Sequence, residues 1–219
     1  MRRTSGAVVE PPAVRRLRRI NLRAAVSFAV GGTLFALGAV FAQLEVGTTA
    51  SVNVTYLVGG FFFSLGGYLS ILLAPRHERP WRSAMVLFVG TLLFAVSLVA
   101  AFAEGLTPRQ SNGWIWVPDM LGCVCFLVSG HLAMLEVGGG HVRLRPRVVG
   151  WWVAAVNQLG SYLFLLAGLA AFTRPATSRA LDAGLVNWGT FAGAVCFAAG
   201  GVIQAFDTPQ PDKNGGSTS

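Results

Sequence analysis

Six apolar stretches follow one another along the chain, at 22–44, 52–74, 84–103, 115–135, 148–172 and 185–206. Each has 20 to 25 residues, and an α-helix needs about 20 to cross a hydrocarbon core of roughly 30 Å. Together they contain only two charged residues, Arg23 and Asp119. The stretches 84–103 and 185–206 carry no charge on any face, unlike a surface helix of a soluble domain with its polar stripe. Strands are excluded, because an open sheet would leave backbone groups unpaired in lipid and the alternation of a membrane barrel is missing. The pattern predicts an all-α membrane protein with six transmembrane helices.

Composition sharpens this. Apolar residues make up 53% of the 219 and charged residues 12%, about half the charged share of a soluble domain. That is too little polar surface to wrap a water-facing globule. The net charge of +8 marks topology before it marks a partner. Fourteen Lys and Arg residues fall on one side of the predicted spans: before the first, in the second and fourth connections, and in the tail. Only Arg109, Arg174 and Arg179 fall on the other. The positive-inside rule then predicts both termini in the cytoplasm. A nucleic-acid partner would need a basic face on a soluble module, and none is present. Arg15, Arg16, Arg18 and Arg19 are placed to meet anionic lipid headgroups. The use of 16 Arg to 1 Lys points to a GC-rich bacterial genome and hence to a bacterial cell membrane.

The organisation expected is a basic N-terminal segment 1–21, three helical hairpins at 22–74, 84–136 and 148–206, and a disordered tail 207–219. Residues 1–12 read as disordered too, from their polar and proline content. Arg15-Arg16 and Val40-Phe41-Ala42 resemble parts of a cleaved signal, but the run is long for one and belongs to a repeat.

That repeat lies in the glycines. Odd spans share Gly-x3-Phe, as Gly31-Phe35, Gly90-Phe94 and Gly160-Phe164. Even spans share Gly-x3-Phe-x3-Gly, as Gly59-Phe63-Gly67, Gly122-Phe126-Gly130 and Gly193-Phe197-Gly201. Asn53, Trp116 and Asn187 each lie six residues before the first glycine; Leu73, Glu136 and Asp207 lie six after the last. Residues four apart share a helix face, and bare backbone lets helices approach closely in lipid. Each copy crosses and returns from the same side. The expected arrangement is therefore three parallel Gly/Phe-rich hairpins in a pseudo-threefold bundle.

The segments Asn157-Gln158-Leu159-Gly160-Ser161-Tyr162-Leu163-Phe164, Asn53 through Phe63 and Asn187 through Phe197 resemble the YrhK-like family of small bacterial membrane hairpins. The resemblance covers hairpins one and three, while the middle hairpin departs, with Trp116 for Asn. It implies a multipass bacterial membrane protein of a family without an established activity, and it carries over no catalytic residue.

Polar groups inside spans are the default functional candidates: Asn53, His131, Asn157, Gln158, Asn187 and Gln204. They are expected to serve mainly as interhelical hydrogen-bonding glue, with a polar solute or ion site as the alternative. Glu45, Glu104 and Asp119 form an expected outer acidic rim that mainly meets water, Asp119 after Pro118 reading as an ordinary first-turn acid, with attraction of cations as the alternative. Cys123 and Cys125 lie about 200° apart around a helix and cannot chelate together with His131, so no metal is implied. All six Trp residues fall near span ends, as headgroup anchors do. No nucleophile–base pair, phosphate loop or metal motif appears, so neither an enzyme nor a cofactor is expected. The leading expectation is a non-enzymatic scaffold, accessory or interaction protein, its protein partner or homo-oligomer left open. The alternative is a channel or transporter for a small solute or ion. Convergence of the six polar side chains on one continuous cavity would favour the alternative.

Overall fold

A computed structural model describes residues 11–207; the predicted disordered segments lie almost wholly outside them. The helices are α1 Pro12–Gln43, α2 Thr49–Leu73, α3 Arg79–Ala100, α4 Pro108–Val137, α5 Val149–Ala170 and α6 Ala183–Ala205. All six are long and apolar enough to cross a membrane. Among the described residues there is no strand, only a lone bridge between Thr173 and Ala180.

Local chemistry sets the helix starts. Thr48 Oγ1 accepts from the Ser51 N–H at 3.2 Å, while Ser51 Oγ accepts from the Thr48 N–H at 2.9 Å. This reciprocal cap satisfies donors that a helix start leaves orphaned. Thr107 and Gln110 repeat it ahead of α4, with Pro108 at the first helical position, where a missing N–H does no harm. Asp182 caps α6 by accepting from the Leu185 N–H at 2.9 Å.

Two helices, α1 and α4, start well before the apolar pattern predicts. α1 begins at Pro12, so Arg15, Arg16, Arg18 and Arg19 are exposed residues of the first helix and not a separate segment. Arginine is a good helix former, and hydropathy alone cannot see a helix that continues past the apolar zone. α4 begins at Pro108 and passes through a π-turn at Asn112–Trp116 before resuming as α-helix at Val117. Pro118 has no N–H to donate back along the helix, a condition that favours irregular bonding at this point.

Consecutive helices pack side by side, and α6 packs against α1, so the six close into a ring. The last turn of α6 is tied to α1 at that closure. Buried Asn21 donates to the carbonyls of Gln204 and Asp207 at 3.0 Å each and accepts from Gln204 Nε2 at 3.0 Å. The ring is sorted as a membrane body requires. Leu and Val side chains such as Leu37, Val58, Leu92, Val124, Leu166 and Val195 face outward, while the interior is small residues and phenylalanine.

Candidate functional site

The glycines determine how close the helices stand. A Cβ on Gly31 would lie 3.0 Å from the Gly59 carbonyl and 2.8 Å from the Phe63 ring; one on Gly59 would lie 2.8 Å from the Phe35 ring. The same crossed contact recurs between Gly90 and Gly122, with Phe94 and Phe126, and between Gly160 and Gly193, with Phe164 and Phe197. Within each hairpin, each ring lies over the other helix's glycine. The last glycine of each even span faces the next helix: Gly67 faces Phe88, Gly130 faces Gln158, and Gly201 faces the α1 backbone at Ala25 and Ala29.

This arrangement brings six phenylalanines to the centre of the ring. Phe35, Phe94 and Phe164 form a triangle with centroids 6.1–6.4 Å apart. Phe197 lies 5.4 Å from Phe63 and 5.8 Å from Phe126. The two groups are joined by the pairs Phe35–Phe63 at 5.4 Å, Phe94–Phe126 at 5.0 Å and Phe164–Phe197 at 5.4 Å. Such edge-on and offset contacts are each worth about 0.5–1.5 kcal/mol beyond burial. The void among them is about 10 Å³, at the lower limit for a single water. The plug is dry.

A recess lies at each end of the plug. The proximal one, at the end holding residues 21 and 207, measures about 380 Å³; the distal one measures about 390 Å³. All six helices border each recess. Phe126 and Phe197 form part of the proximal floor, and Phe35, Phe94 and Phe164 part of the distal floor. Position relative to the glycines predicts the lining. Residues three and six before the first glycine of the even spans border the distal recess: Tyr56, Asp119 and Thr190, then Asn53, Trp116 and Asn187. Residues three and six after the last glycine border the proximal one: Ser70, Ala133 and Gln204, then Leu73, Glu136 and Asp207.

The six expected polar residues do not converge on one continuous cavity. Asn53 and Asn187 border the distal recess and Asn157 and Gln204 the proximal one. Gln158 sits against Gly130, its buried Oε1 without a hydrogen-bond partner, and His131 is exposed on the outer surface of α4. Several also tie helices together: Asn53 Nδ2 donates to the Ala101 carbonyl at 2.9 Å, and Asn187 Nδ2 to Gln43 Oε1 at 3.2 Å. Asn157 Oδ1 is buried without a partner and presses on Gly200.

The expected acidic rim divides. Glu45 and Glu104 are exposed in turns, whereas Asp119 lines the distal recess. Asp119 lies one position past Pro118, on the inward face of α4, so the helix turns it to the axis. Trp116 likewise faces inward, its Nε1 donating to the Gly168 carbonyl at 2.8 Å, and Trp151 is buried; these two are not simple headgroup anchors. Cys123 is buried with its thiol directed at the Phe164 carbonyl, 3.4 Å away. Among the described residues no three His, Cys, Asp or Glu side chains gather as a metal site would require.

Charge distinguishes the two recesses from the rest of the surface. Glu136 and Asp207 border the proximal one and Asp119 the distal one, and among the described residues no Arg, Lys or His borders either. In a chain with 17 basic and 9 acidic residues, this segregation is the clearest electrostatic feature. No family model matches the chain, and neither a curated protein nor a solved structure is similar to it.

Proposed function

We propose that the protein is a multipass bacterial cell-membrane protein, both termini cytoplasmic, whose ring axis is a path for small monovalent cations, held shut by the phenylalanine plug. The observation that carries this reading is the pair of axial recesses bordered by acids and, among the described residues, by no base. Acids in narrow, low-dielectric openings focus the field and concentrate cations. The five expected amides and His131 do not supply the path, since they divide between the two ends, the helix contacts and the outer surface. No covalent chemistry is part of the proposal.

The proposed body is three parallel hairpins about a pseudo-threefold axis. The recurring glycine–phenylalanine contact and the matched lining positions support it, and kinship with YrhK-like hairpins rests on the same residues. Arg16, Arg19 and Arg23 share a surface groove with Leu69 and Leu72, which fits an anionic lipid whose chain lies along the leucines.

Reconstitution in planar bilayers under a potassium chloride gradient tests the path. The parent protein is expected to pass little current, and Phe164→Ala a cation-selective one. Adding Glu136→Gln and Asp207→Asn to Phe164→Ala is expected to move the reversal potential toward that of chloride. Absence of current in every variant would return the reading to a non-conducting scaffold.

A further inference from the structure

We propose that the distal recess is a binding site for a small alkylammonium cation, with Asp119 as its counter-ion. The inference deepens the proposed function by naming what the recess accepts. It is tested by binding, without flux.

Asp119 is half-buried and lines the distal recess. What remains open is the recess. Its carboxylate accepts no hydrogen bond from any described residue, and no basic side chain borders the cavity. A half-buried carboxylate opening into a narrow, low-dielectric recess favours a cationic partner, and among the described residues none supplies one. Gly168 makes room for it, since a Cβ there would stand 3.0 Å from Asp119 Oδ2 and 2.9 Å from the Met120 sulfur.

The remaining lining selects the kind of cation. Tyr56 and Trp116 lie in the walls and Phe35, Phe94 and Phe164 in the floor. Aromatic faces attract alkylated ammonium groups, at about 0.5 to 2 kcal/mol per ring. A divalent metal ion is commonly held by more than one carboxylate, and among the described residues the recess has one, its other oxygens being neutral amides and hydroxyls. At about 390 Å³ it falls in the range of small-molecule sites.

The probe is choline, with 3,3-dimethyl-1-butanol as its uncharged isostere, titrated calorimetrically into the full chain in detergent. Choline is expected to bind and the isostere to give no heat. Asp119→Asn is expected to weaken choline binding by about tenfold or more, which is about 1.4 kcal/mol or more. Tyr56→Leu is expected to weaken it about threefold, while Tyr56→Phe, which keeps the ring, leaves it unchanged. Asp207→Asn, at the other end, also leaves it unchanged. Should Asp119→Asn not fold, Thr190→Trp, which fills the recess and leaves the carboxylate in place, is expected to abolish binding. Equal binding of the isostere, or undiminished binding in Asp119→Asn or Thr190→Trp, overturns the inference. Choline binding together with no current even in Phe164→Ala would overturn the path and leave the site standing.

Discussion

Replacing Gly32 with leucine is expected to prevent the ring from closing. Gly32 lies where α1 meets α6, and a Cβ there would stand 2.6 Å from the Ala198 nitrogen and 2.7 Å from the Ala194 carbonyl oxygen. Both are backbone atoms of a regular helix, so no side chain can swing aside. The opposing position is equally tight, since a Cβ on Gly201 would lie 2.7 Å from the Ala25 carbonyl oxygen. Overpacking of a close core contact typically costs about 1–3 kcal/mol, and a contact that only helix separation can relieve belongs at or beyond the top of that range. In lipid no hydrophobic drive between helices offsets it. The expected result for Gly32→Leu is loss of the monodisperse species in detergent and a clearly lowered melting temperature. Gly113→Ala is the control, since no atom lies within 4 Å of its Cβ position. It is expected to be neutral or slightly stabilising, as Ala replaces Gly in a helix. If Gly32→Leu melts like the parent, the α1–α6 seam is not as described.

The second large effect is expected from Phe164→Ala. Phe164 touches Phe35, Phe94 and Phe197 and forms part of the distal floor. Its removal is expected to join the distal recess to the void inside the plug, leaving Phe63, Phe126 and Phe197 as the barrier below. Buried Phe→Ala changes cost about 3–5 kcal/mol, so thermal stability should fall together with closure. A hydrophobic constriction excludes ions by excluding water, and widening it is expected to raise cation flux into proteoliposomes by about tenfold or more. Phe61→Ala serves as the comparison, because Phe61 is 65% exposed on the outside of α2; it should change neither property. A Phe164→Ala protein that is destabilised yet as impermeable as the parent would make the phenylalanines packing alone.

How much of this was legible in the sequence follows from what an apolar helix reveals. Six spans appear because length and hydropathy are properties of the segment. Which face turns inward is harder, because these helices lack the polar stripe that marks a surface helix in water. The glycine and phenylalanine spacing was the one available compass. It placed Asn53, Trp116 and Asn187 in one register and Glu136 and Asp207 in another, and both registers border the recesses. The same compass applied to His131 would have excluded it, since nine residues past Gly122 is about 180° around the helix. It would also have drawn in Asp119, three residues before Gly122, beside Tyr56 and Thr190. Those three share a register and no chemistry, so comparison by residue type passes over them. Asn21 was hidden for another reason: it lies among the arginines, where hydropathy ends the span and the helix does not.

Thiol accessibility from the two faces of the membrane tests most directly whether two axial recesses are separated by a dry plug. Single cysteines are introduced as Thr190→Cys, Ala133→Cys and Thr91→Cys, with Cys123, Cys125 and Cys196 replaced by alanine. Thr190 borders the distal recess, Ala133 the proximal one, and Thr91 the void within the plug. A small membrane-impermeant thiol reagent is expected to label the Thr190 variant only from outside the cell and the Ala133 variant only from the cytoplasm. The Thr91 variant is expected to react from neither face. Labelling of the first two from the same face, or ready labelling of the third, would contradict the account.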